Sequence, residues 1–195
     1  MVRQIKLICI YVIIISITIS LKVHAWDGER KGFILGTGLG VGLVSFTQTA
    51  NGIELFDDIG STFASDFSIG YAPNNMFQIY YFSKVSWFRI LNILNENVTI
   101  ADGVAGVGIS YYFNEYVPSS YILGGIGFSS WSTPLEENTD TWEGNGFVVG
   151  CGYEFSRHFN LESTITWGNP SIEEFGIDYE TDSFTLNIYL NIIGY

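Results

Sequence analysis

Positive charge is scarce in this chain: Lys and Arg together number 8 against 20 Asp and Glu in 195 residues, a formal charge of −12. Recognition of nucleic acid starts from a basic patch. Arg30-Lys31 is too small a patch to supply one, so nucleic acid is excluded as a partner. Cysteine is nearly absent. Cys9 falls in the first apolar stretch, and Cys151 remains without a mate for an internal disulfide. Neither follows directly on a cleavage position, which argues against a lipid anchor. Among Phe147, Val149, Tyr153 and Phe155, Cys151 reads as a small apolar wall residue. Histidine is limited to His24 and His158. With one histidine beyond residue 25, neither a Ser–His–acid arrangement at the outer rim nor a His-rich metal site can be built. The acid pairs Asp57-Asp58 and Glu136-Glu137 read as solvated loop acids. No catalytic residue, metal ligand or cofactor is expected. Charged residues of either sign make up 14%, and beyond residue 25 there is no long unbroken apolar run, so no later helix crosses a membrane. Yet 47% of residues are hydrophobic and 16% aromatic, which excludes a disordered chain. The apolar residues must be spread in small alternating doses.

The first 25 residues read as an export signal. Arg3 and Lys6 supply a positive start, residues 7–21 are almost wholly apolar, and Val23-His24-Ala25 offers modest side chains before a cut. An apolar run of about 15 residues is shorter than the roughly 20 of a spanning helix. The expected organisation is therefore a signal peptide over 1–25 and one domain over 26–195.

The rest alternates. In residues 33–46, odd positions give Phe33, Leu35, Thr37, Leu39, Val41 and Leu43, and even positions give Ile34, Gly36, Gly38, Gly40 and Gly42. One apolar face and one nearly bare face is the period of a strand. Equivalent segments follow at 62–71, 77–87, 99–113, 120–131, 146–155, 159–167 and 183–193. Each is long enough for the roughly 9–11 residues with which a tilted strand crosses a bilayer. The connections alternate too. Residues 72–75, 114–118 and 156–158 are short turns, while 47–61, 88–98, 132–145 and 168–182 are long polar loops. The pattern predicts an all-β fold, an eight-stranded antiparallel up-and-down transmembrane β-barrel, with short turns in the periplasm and long loops outside.

A repeat supports the phasing. Ile69-Gly70-Tyr71, Ile109-Ser110-Tyr111 and Cys151-Gly152-Tyr153 recur at similar spacing, and Trp87, Trp131 and Trp167 end the third, fifth and seventh segments. These six aromatics are expected to form girdles at the two membrane rims. Asp66, Lys84, Asp102, Glu154 and Glu162 all lie opposite the apolar face, and so are expected to point into the lumen. A one-residue slip would turn them toward lipid, at about 2–4 kcal/mol for a mid-membrane Lys and less for the acids. Lys84 is expected to cluster with Asp66 and Asp102. Glu154 and Glu162 flank the last short turn, with Arg157 in it and Arg30 and Lys31 near the same rim.

The segments Lys31-Gly32-Phe33-Ile34-Leu35-Gly36-Thr37-Gly38-Leu39-Gly40 and Gly150-Cys151-Gly152-Tyr153-Glu154-Phe155, with Leu161-Glu162 and the closing strand, carry a family resemblance. The chain resembles the small OmpA-like and opacity-type outer-membrane β-barrels. The resemblance implies a monomer, folded by the assembly machinery into the outer membrane of a Gram-negative bacterium after signal removal. It implies no single activity, since the family includes structural proteins, adhesins and small porin-like pores. No peptidoglycan-binding domain is expected to follow. One feature departs from the family pattern: Phe184, Leu186, Ile188, Leu190 and Ile192 share a phase, and terminal Tyr195 is out of it.

Thirteen of the 20 acids fall in the four long loops, among them Asp57, Asp58, Glu136, Glu137, Glu173 and Glu174, and only Arg89 opposes them. The expected partners are outer-membrane lipid and lipopolysaccharide, with divalent cations bridging the loops to the lipid surface. The expected role is structural or surface-interacting and non-enzymatic; the alternatives are a small channel and a loop-mediated adhesin.

Overall fold

A computed structural model describes residues 29–91, 97–136 and 141–195. The expected signal segment, Glu96, Glu137 and Asp140 lie outside these described residues. Eight strands follow in chain order: β1 (Gly32–Ala50), β2 (Ile53–Asn74), β3 (Phe77–Leu91), β4 (Asn97–Tyr112), β5 (Ser119–Ser132), β6 (Trp142–Ser156), β7 (Phe159–Glu174) and β8 (Ile177–Gly194). Each pairs antiparallel with its sequence neighbour, and β1 closes on β8 from Leu35↔Gly194 to Ala50↔Tyr179. Closure leaves no backbone unpaired where lipid would surround it. The glycines of β1 belong to this seam: a Cβ on Gly42 would collide with the Leu186 carbonyl and with Asn187 Oδ1.

At the near end, where both described chain ends lie, the connections are short. Asn74 Oδ1 accepts the N–H of Met76 and of Phe77, both at 2.9 Å, closing the β2–β3 turn with its own side chain. At the far end, two expectations fail. Residues 47–61 and 168–182 are not long loops. They are the ends of β1, β2, β7 and β8, joined by two-residue turns at Asn51-Gly52 (φ 48° and 75°) and Phe175-Gly176 (φ 53° and 77°). Positive φ at both positions gives the turn whose twist matches the flanking strands. The two hairpins are stitched side by side, with the Asn51 N–H donating to the Asp178 carbonyl at 2.8 Å. A four-stranded sheet, β2-β1-β8-β7, therefore stands above the rest of the wall.

The exterior is apolar through the middle and acidic above. On β8 the outward positions run Phe184, Leu186, Ile188, Leu190 and Ile192, all close to half exposed. That is about 26 Å of strand, which at a tilt of about 40° covers about 20 Å, near the ~25 Å apolar band of such barrels. Beyond Phe184 the same face carries Asp182, Glu180 and Asp178, all exposed. Asp182 lies opposite Thr47, and Thr47 opposite Asp57, so the acids form a row across β2, β1 and β8.

Candidate functional site: a closed lumen beneath an acidic sheet

Alternation sends Asp66, Lys84, Asp102, Glu154 and Glu162 inward, and all five are buried. They occupy separate tiers. At the near end, Arg30 Nε meets Glu154 Oε2 at 2.5 Å. Its Nη1 donates to the carbonyls of Asn75, Asn114 and Glu115 at 2.9, 2.8 and 3.1 Å. The guanidinium lies 4.2 Å from the centre of the Tyr112 ring. One side chain thus binds the carbonyls of two short turns and the acid next to the third. Glu154 is paired with Arg30, and Arg157 is exposed. The reason is geometric: Glu154 faces the lumen, whereas Arg157 sits in a turn directed away from it.

Tyr195 explains the phase departure. The alternation continues unbroken past Ile192, so Tyr195 falls on the lumen side, and its hydroxyl donates to Glu154 Oε1. It is 3% exposed, inside the barrel rather than against lipid.

In the middle tier, Lys84 Nζ lies 2.9 Å from Asp66 Oδ2 and 2.7 Å from Glu162 Oε1. The Tyr121 hydroxyl donates to Glu162 Oε2 at 2.8 Å. Tyr121 fits only because Gly152 faces it, where a Cβ would strike the ring. The expected partnership of Lys84 with Asp102 is replaced by one with Glu162. Asp66 is directly opposite Lys84 on β2, whereas Asp102 is opposite Ser86 and takes its hydrogen bond from Ser183. Glu162 reaches Lys84 across the lumen from β7. Above, Thr62 donates to Asn187 Oδ1 and Asn187 Nδ2 to Ser86, both at 2.9 Å.

The far tier is apolar. Phe46, Phe88 and Trp131 pack with ring centres 5.1–5.6 Å apart, backed by Val44 and Ile100. Trp131 is therefore no girdle residue. Ile122, Ile126 and Phe128 take the lipid side of β5, so the odd-numbered Trp131 must point inward. Tyr71, Tyr111 and Tyr153 do face outward at the near end, 43–56% exposed. Trp87 and Trp167 face outward at the far end, Trp167 stacked on Phe147 at 5.5 Å. Between the tiers, a cavity of about 20 Å³ touches Asp66, Gln78, Lys84 and Glu162. That is room for about one water, so the lumen is filled by its own side chains.

Neisserial surface protein A aligns over 83% of this chain and 97% of its own, with 14% identity and a TM-score of 0.51. The chain has the fold of the small outer-membrane β-barrels. OprG of Pseudomonas aeruginosa aligns over 85% of this chain and 97% of that one at 12% identity and a TM-score of 0.48. The attachment invasion locus protein Ail of Yersinia pestis aligns over 83% of this chain and 99% of that one at 14% identity and a TM-score of 0.42. No family model and no curated protein matches the chain.

The far rim of this outer-membrane-type barrel holds the remaining expected residues. Asp57 and Asp58 lie within β2 and Glu173 and Glu174 within β7, so these four expected loop acids belong to strands. Glu136 lies between β5 and β6. Glu173 is directly opposite Asp178, a like-charge pair on one face. Among the described residues, no three His, Cys, Asp or Glu side chains converge on a metal position. Phe175 stands fully exposed at the tip of the β7–β8 hairpin.

Proposed function

We propose that the protein is a monomeric, non-conducting and non-enzymatic outer-membrane barrel of a Gram-negative bacterium, whose acidic far-end sheet makes contacts at the cell surface. The supporting observation is the contrast between the two parts. Among the described residues, ion pairs and aromatics fill the lumen, which supports a wall without a passage. The projecting sheet, in contrast, presents a row of acids and an aromatic tip to the outside. The apolar band takes membrane lipid. Lipopolysaccharide phosphates and the acid row are both negative, so divalent cations gather between them as a diffuse screen rather than in a built site. An exposed Phe175 in the left-handed region costs about 1–2 kcal/mol relative to Gly, and strain of that kind persists where a surface is used.

The test is adhesion of displaying cells to a protein-coated matrix. Cells carrying the wild-type barrel are expected to adhere. Cells carrying Asp57→Asn, Asp58→Asn, Glu173→Gln, Glu174→Gln and Phe175→Gly together are expected to lose adhesion while the heat-modifiable gel shift of a folded barrel is kept. Equal adhesion of the two would overturn the reading.

A further inference from the structure

Among the described residues, the longest stretch of strand paired on one side alone is the outer half of β2. Pairing of β1 with β2 runs out to Ala50↔Ile53. Pairing of β2 with β3 ends at Phe63↔Trp87, although β3 and β4 stay paired to Leu91↔Asn97. Among the described residues, no strand pairs with residues 53–61 on the side away from β1. In an antiparallel sheet, alternate residues of such an edge direct N–H and C=O outward, a template for an added strand. Natural edges are commonly blunted with Lys or Pro. Residues 53–61 contain neither, and Ile53 and Ile59 are each 69% exposed.

Beside the edge, a cleft of about 560 Å³ separates β2 from the end of β3. Phe46, Gln48, Phe56, Ile90 and Leu91 line it, and Asp57, Asp58 and one cation, Arg89, border it, so the acids of the edge outnumber the arginine. The charge around the edge selects the occupant. Glu54, Asp57 and Asp58 lie on β2 itself, and Glu180 and Asp182 lie two strands away. A second copy would bring the same acids and be repelled, whereas a basic segment would be held.

We propose that residues 53–61 of β2 accept an extended, Lys- or Arg-rich segment of a partner protein as an added strand, its apolar side chains entering the cleft on the face of Phe56 and its cations meeting Asp57 on the opposite face. This rests on the surface-contact reading above and gives that surface its partner class, a basic unstructured polypeptide. Backbone pairing supplies the affinity of such additions, and pockets for alternate side chains supply the specificity.

The experiment uses the full chain in lipid nanodiscs and a fluorescent octapeptide alternating Lys and Val, read by anisotropy. Binding is expected, together with slowed amide hydrogen exchange at residues 53–61. The same peptide N-methylated at alternate residues keeps its charge but loses the ladder, and is expected to bind about tenfold more weakly or worse. Asp57→Asn with Asp58→Asn, checked for folding by the gel shift, is expected to weaken the unmodified peptide to a similar degree. Equal binding of the N-methylated peptide would overturn strand addition and leave a merely electrostatic surface, with the adhesion reading intact. Failure of the unmodified peptide to bind a barrel that still adheres would likewise sink this proposal alone. A concentration-dependent dimer dissolved by the peptide would assign the edge to a second copy instead.

Discussion

At the scale of single residues, burial inside the lumen makes charge an all-or-nothing matter. Lys84 holds two carboxylates, Asp66 and Glu162, with no solvent to replace it. Lys84→Met is expected to lower unfolding stability in urea by about 3–5 kcal/mol, because two buried acids are left uncompensated. Adding Asp66→Leu and Glu162→Met to that variant is expected to recover most of the loss, since an apolar set of similar volume needs no counter-charge. A neutral single variant would show that the pair is wet. The inward placement of these residues was legible in parity alone, because a strand's two faces are fixed by its period. Their partners were not. Glu162 meets Lys84 across the lumen, 78 residues away, and that meeting depends on the stagger of a closed sheet, which no local pattern carries. Trp131 shows the reverse: its parity pointed inward, and its position at a rim gave the wrong answer.

At the scale of the element, the membrane-crossing parts of the strands were readable and the projecting parts were not. Lipid on one face and lumen on the other impose a sharp apolar–polar alternation on residues 183–193. The far-end sheet has no lipid against it, so its alternation is diluted with acids and reads as loop. Asn51-Gly52 carries a turn signature in its composition, while Phe175-Gly176 has half of one. The like-charge pair Glu173↔Asp178 makes the second hairpin weaker than its hydrogen bonds allow. Glu173→Gln is expected to strengthen it by about 0.2–1 kcal/mol. Hydrogen exchange along residues 171–181 should slow at low ionic strength, and the gain should fade at high salt, where the repulsion is already screened. A gain unaffected by salt would mean that the charge pair is not its source.

At the scale of the whole molecule, a channel and a solid peg differ in whether the lumen holds a continuous water path. Arg30 and Glu154 stop one end, Phe46, Phe88 and Trp131 the other, and the middle holds about 20 Å³ of free space. Purified protein in a planar lipid bilayer is expected to give no steady conductance steps. Steps of constant size would show a continuous water path and overturn the plug. The eight-strand closure was foreseeable from the count and alternation of segments. The apolar stoppers were not, because Phe46 and Phe88 look in sequence like any other wall aromatics.

The change from Phe184 to Asp182 on the outward face works as a waterline. A strand cannot sink without dragging a rank of carboxylates into oil, nor rise without wetting its greasy belt. The molecule therefore floats at one draught, and regions of membrane that differ in thickness from its belt will tend to expel it or bend to meet it.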